Sequence, residues 1–180
     1  MKTLENLKWR YATKKFDATK KIKNDDLEKL KEAVQLSASS YGLQLYKVLI
    51  IENKELREKL QPISWGQSQV TDASHLFVFC NYSEVKDDHI DQYMKLKADT
   101  QGLNVDDLKG YGDFIKSKMS EKSKEAQAVW TGRQVYLALG NLLTASAELG
   151  IDTCPMEGFE PDQYNEVLNL KEKGLEAAVI

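Results

Sequence analysis

Arg10, Lys14 and Lys15 crowd into residues 10–16, RYATKKF, directly after a first helical segment. A net charge of −3 over 180 residues argues against a protein built to grip a nucleic-acid backbone. A local cationic cluster of this kind can still serve a small anionic ligand. Three other stretches carry polar or unusual residues: the serine-rich run from Ser37 to Tyr46, the run from Gln67 to His75, and residues 154–159, CPMEGF. Each alone has a plain structural explanation. Basic clusters are usually solvated, serine-rich loops usually cap themselves, and Glu157-Gly158 before Phe159 can be a simple turn.

Several chemistries are excluded by motif. The chain has no GxxxxGK[ST] phosphate loop, and Gly110-Tyr111-Gly112 cannot extend to GxGxxG because position 115 is isoleucine. It has no GxSxG nucleophile elbow. With only His75 and His89 present, no His-rich metal site can form, and His75, opening an apolar run, reads as a packed histidine. Asp87-Asp88 reads as the solvated start of a helix. Cys80 and Cys154 stand far apart with no CxxC pair, so two free thiols are expected.

The elements that must position these residues follow from apolar spacing. Leu4 and Leu7, with Trp9 just beyond, mark a first helix; the chain then turns extended at Lys14-Lys15. Asn24, with Asp25 and Asp26 behind it, is expected to cap a helix carrying Leu27, Leu30 and Val34 on one stripe. The run 47–51 (KVLII) and the run 75–80 (HLFVFC) read as buried strands, the latter covered by helices on both faces because it lacks alternation. Asn53 opens a short helix through Leu56 and Leu60. Two charged helices follow, with stripes at Ile90, Tyr93, Met94 and Lys97 and at Leu108, Tyr111, Ile115 and Met119, expected outside the core. Residues from about Glu125 to Leu149 form a long helix, apolar on several faces and closed by Gly150. Gly132 and Gly140 within it each cost about 1 kcal/mol relative to alanine, which close approach of a helix or ligand would offset. Pro161 begins another helix, with Tyr164, Val167 and Leu168 on one face, and 175–180 is a final strand.

No repeat, low-complexity tract or domain boundary interrupts the 180 residues, so one α+β domain is expected. The first ten residues hold no apolar stretch of signal-peptide length, and the segment near Val135–Leu149 is too interrupted for a membrane span. A cytoplasmic location is the default expectation. The last residue, Ile180, lies within an apolar run, which reads as a truncation.

Taken together, RxxxKxFD at 10–17, SxSSxxxQ at 37–44, TDASHLFVFC at 71–80, WxxxQVYLxxGN at 130–141 and PMEGF at 155–159 resemble the nitroreductase family, in particular its oxygen-insensitive NAD(P)H nitroreductase and dihydropteridine reductase branch. The resemblance runs from Leu7 to Ile180. It implies a nitroreductase-like FMN-binding fold: a central, mostly antiparallel sheet flanked by helices, a long buried central helix, and an entwined homodimer with flavin at the subunit interface. It implies that Arg10 holds the FMN phosphate and that Lys14 lies by the ribityl chain and pyrimidine edge, where a cation favours reduced flavin. The Glu157-Gly158 peptide would donate to flavin N5, Gly158 would leave open space above the ring, and Pro155 and Met156 would lie against its face. Ser39, Ser40 and Gln134 match positions that reach the flavin from the partner; a satisfied interfacial glutamine is the other reading of Gln134.

Departures fall at several contacts. Tyr11, Ala12, Gly42, Gly66 and Gln69 stand where relatives carry histidine, serine, asparagine, asparagine and lysine, so the pyrimidine edge would be met differently, by Gln67 or Gln69. The family continues past Ile180 into a glycine-containing turn, basic residues completing the phosphate site, and a tail around the partner. This chain is expected to lack them and to bind FMN and its own copy more weakly. The implied reaction is ping-pong hydride transfer from NADH or NADPH through flavin N5 to nitroaromatics, quinones or dihydropteridines. The cofactor carries the chemistry, no side chain is catalytic, and no metal is implied. Alternatives are another reduction on the same fold, such as dehalogenation, or a flavin-binding or structural dimer without turnover.

Overall fold

The two apolar runs predicted as strands pair with each other. In the computed structural model, which describes residues 1–180, β1 (Tyr46–Ile51) runs antiparallel to β2 (Leu76–Tyr82), with Val48 opposite Phe79. β2 is central, and β3 (Leu175–Val179) pairs antiparallel with its far edge, through a register shift between Phe79 and Cys80. As an edge strand, β1 is buried only at its two ends, less than its unbroken apolar sequence suggests.

Successive residues of β2 serve opposite faces, and both faces are covered. Val78 and Cys80 pack with Leu60, Val70, Phe159, Tyr164 and Leu170. Phe79 packs with Leu30, Val34, Val135, Ala138 and Leu142, from helices α2 (Asn24–Gln35) and α7 (Lys124–Glu148). The α2 stripe of Leu27, Leu30 and Val34 is buried as its spacing requires. Its cap differs: Lys23 is the N-cap, Asn24 is already helical, and no side chain caps the start. The acidic first turn of Asp25 and Asp26 alone meets the helix dipole there. Asn53 does cap α3 (Lys54–Leu60), accepting from Leu56 N–H at 2.8 Å.

The charged helices α5 (Asp87–Gln101) and α6 (Lys109–Ser120) build a small core of their own. Ile90, Met94, Ile115 and Met119 close there on Leu43, Leu45 and Val85, beneath the serine-rich loop. α7 is long, as expected, but only one side of it is buried. Val129, Tyr136 and Leu137 remain about half exposed, as do Leu4, Leu7 and Trp9 of α1 (Lys2–Trp9), which lies against it. Nothing approaches Gly132 or Gly140 within this chain. α4 (Gln69–Asp72) is one turn before β2, and α8 (Pro161–Val167) buries Tyr164 while leaving Val167 exposed. No helix is long and apolar enough to cross a membrane.

His75 is packed, its side chain 5% exposed, with Nδ1 2.9 Å from Ser74 Oγ and Nε2 3.4 Å from Glu52. Burial pushes its pKa below 6.5 against the opposing pull of Glu52, and burial lowers that of His89 likewise. Below pH 6.5 the unfolded chain therefore binds protons that the folded chain resists, so stability is full above that pH and falls as the medium is acidified. Thermal melts between pH 7.5 and 5 should show this slope, and His75→Gln should flatten it; an unchanged slope in the variant would count against the assignment.

Candidate functional site

The basic run is drawn onto the segment that carries the PMEGF motif. Ala12 and Thr153 form a parallel bridge, Thr13 N–H donates to the Thr153 carbonyl at 3.1 Å, and Thr13 Oγ1 donates to Asp152 at 3.2 Å. Thr13 is buried, and Lys14 beside it points to solvent. Arg10 leaves the end of α1 with its Nε buried and without any partner. Neither Arg10 nor Lys14 forms an ion pair with any of the chain's carboxylates. A buried guanidinium nitrogen with no acceptor is costly unless something else supplies one.

Residues 156–160 are held on three sides. Met156 exchanges two backbone hydrogen bonds with Ile180, at 2.7 and 3.1 Å, and Glu160 N–H donates to Ile63 at 2.8 Å. Gln67 Nε2 donates to the Gly158 carbonyl at 2.8 Å and to Ser64 at 3.1 Å. The amides of Glu157 and Gly158 meet no protein acceptor, so two donors lie open on one short loop. The space at Gly158, however, is not open. A Cβ there would come within 2.9 Å of the Trp65 ring and 3.0 Å of Gln67 Nε2. Trp65, left-handed at φ 54° and 68% exposed, lays its indole over this glycine and donates from Nε1 to Glu160 at 2.9 Å. Gly158→Ala should therefore displace the indole and loosen the Gln67 contact. We expect a shifted tryptophan emission; an unchanged emission would refute it.

Arg57, missed in the sequence, fastens the neighbouring loop. It is 3% exposed and donates from Nε to Val70 at 2.6 Å, from Nη1 to Ser74 at 3.2 Å, and from Nη2 to Ala73. Gln69, buried at the start of α4, lines a cavity of about 550 Å3 together with Lys15, Cys154, Pro155 and Met156. Both cysteines are free, and burial drives the Cys80 thiol up to about 12.

Ser39, Ser40 and Gln134 form a separate group. Gln134, buried in α7, accepts from Ser40 N–H at 2.8 Å and donates to Trp130 at 3.1 Å, while Ser39 Oγ accepts from Gln44 N–H at 2.9 Å. Asn141 ties Ser37 to the same helix at 2.9 Å. Within one chain this group shares no hydrogen bond with Arg10, Lys14 or residues 155–158. Tyr11 is exposed and makes no side-chain hydrogen bond.

The sequence model of the Nitroreductase family matches residues 7–180. The chain belongs to the nitroreductase family. Among relatives of this nitroreductase-family chain, it is 37% identical to "Putative NAD(P)H nitroreductase YfkO" of Bacillus subtilis, over 96% of its own length and 80% of that protein. It is 38% identical to a "Putative NAD(P)H nitroreductase" of Haemophilus influenzae, over 96% and 79%. Its fold is that of solved nitroreductases. It is similar to ydfN of Bacillus subtilis at a TM-score of 0.88 and 20% identity, covering 98% of this chain and 84% of that one. A "putative nitroreductase" from Exiguobacterium sibiricum, solved in complex with FMN, superposes at a TM-score of 0.84 with 22% identity and the same coverage.

Proposed function

We propose that this nitroreductase-family protein is an FMN-dependent oxidoreductase that takes reducing equivalents from NADH or NADPH. The observations that carry this reading are the unpartnered, buried Nε of Arg10, two residues before the Ala12–Thr153 bridge, and the two free amides, Glu157 and Gly158, in the loop that follows Thr153. A flavin mononucleotide is anionic at one end and needs hydrogen-bond donors at its ring, so the residues present fit it. Bound FMN would supply two-electron transfer between the nicotinamide and an electron-poor acceptor.

The protein's own part is binding and electrostatics. Arg10 and Lys14 offset the phosphate and the charge of reduced flavin; Glu157 and Gly158 offer amides to the ring; Pro155 and Met156 supply an apolar floor. The names of the relatives and the FMN complex of the Exiguobacterium neighbour support the same assignment. Nitroaromatics, quinones and dihydropteridines are the proposed acceptors, reduced in turn at one shared pocket. A homodimer is the proposed assembly. It would cover the exposed apolar residues of α1 and α7 and bring Ser39, Ser40 and Gln134 of one copy to the flavin of the other.

The test is direct. The purified protein supplied with FMN should show a perturbed flavin spectrum and oxidise NAD(P)H when menadione or a nitrobenzoate is added. Bound flavin without NAD(P)H oxidation would favour a binding module, and absence of flavin uptake would refute the reading.

A further inference from the structure

Resting on that reading, we propose that Tyr136 is a positioning residue: its hydroxyl, donated to the Glu157 carboxylate, latches the Glu157-Gly158 amides of the same chain in place against the flavin ring. Tyr136 donates to Glu157 Oε1 across 21 residues of sequence, from the middle of α7 to the loop beyond it. Glu157 makes no other side-chain hydrogen bond, and no ion pair claims it. Main-chain bonds hold the loop at Met156 and Glu160, and Gln67 holds the Gly158 carbonyl. The peptide plane between Glu157 and Gly158 can still rock about those pins unless the Glu157 side chain is tethered. Tyr136 is its tether.

The helix makes a good anchor. Tyr136 sits between Val135 and Ala138, both fully buried against the sheet, so its backbone cannot shift without disturbing the core. Two residues earlier, Gln134 faces the Ser39-Ser40 loop; a two-residue step turns about 200° around a helix. One rigid helix thus holds two separate loops, each carrying proposed flavin contacts. Burial and the neighbouring carboxylate hold the Tyr136 phenol protonated, with its pKa pushed up to about 12, so it stays a donor through the physiological range.

The experiment uses the FMN-loaded protein and stopped-flow reduction by NADH or NADPH. Tyr136→Phe is expected to slow flavin reduction by about tenfold, because a small misplacement of a donor is costly. FMN affinity and melting temperature should stay near wild type, since Tyr136 is half-exposed as a residue and its hydroxyl makes one hydrogen bond. Glu157→Gln keeps an oxygen for the hydroxyl to bond and should be slowed less than Glu157→Ala. Glu157→Ala should lose as much as Tyr136→Phe, and the double variant Tyr136→Phe/Glu157→Ala should be no slower than either single change, the mark of two groups acting as one unit. A Tyr136→Phe enzyme reduced at the wild-type rate, or a double variant whose losses multiply, would overturn the latch alone. A wild-type protein that takes up no FMN would overturn the flavin reading and the latch with it.

Discussion

Arg10→Ala is expected to weaken FMN binding by about 30- to 150-fold while leaving the melting temperature of the flavin-free protein within about 2 °C. The binding loss is that of a charge-assisted hydrogen bond, about 2–3 kcal/mol. The thermal indifference follows from the same geometry. Arg10 forms no ion pair and its Nε has no protein partner, so truncation removes an unsatisfied polar atom and breaks no internal bond. Quenching of FMN fluorescence measures the first quantity and a melt without FMN the second. Equal affinity in the variant would show that the phosphate is held elsewhere; a large drop in melting temperature would show that Arg10 is structural.

Arg57→Met should behave in the opposite way. Its guanidinium meets three backbone carbonyls, those of Val70, Ala73 and Ser74, and methionine would leave them buried without a donor. The expected loss is about 3–5 kcal/mol, or about 6–20 °C in melting temperature for a domain of this size. Burial lowers the Arg57 pKa, with Asp72 and Glu52 pulling against it, so holding the guanidinium here carries a solvation cost. Arg57 bonds to neither Gln67 nor Gln69, so FMN affinity should fall only as far as the folded fraction falls. A variant as stable as wild type would show that water replaces the guanidinium at those carbonyls.

These two arginines show where reading a sequence stops. Arg10 was legible because it sits in a dense cationic run that opens a family motif. Arg57 sits on a short charged helix, KELREKL, where an arginine looks like any solvated residue. Nothing local marks Arg57 as structural, since its partners are backbone atoms 13 to 17 residues away, and nothing local shows that the Arg10 Nε has none. The α2 start errs for a related reason. Asn24 is a good capping residue, but the helix begins one position earlier because Lys23 takes the extended geometry of the cap. Gly158 was likewise read as leaving room above the ring, whereas Trp65 folds back over it through a left-handed turn that no propensity predicts for tryptophan.

Periodic burial, by contrast, was written in the chain. The stripe of α2, the buried Ile90–Met94 and Ile115–Met119 pairs of α5 and α6, the apolar run of β2, the long helix ending at Gly150 and the α+β class all follow from which side chains water excludes, whereas Tyr111 and the middle of β1 stay less buried than their patterns suggest. The five motifs together also determined the family. Tertiary structure alone decided that Thr13 bridges to Asp152, that Gln67 and Trp65 close on Gly158, that Gln134 is spent on Ser40, and that Tyr136 reaches Glu157. Hydrophobic patterning is a sum over many residues and survives being read one-dimensionally. A single hydrogen bond depends on ångström-scale placement of groups distant in sequence, which only the packed chain sets.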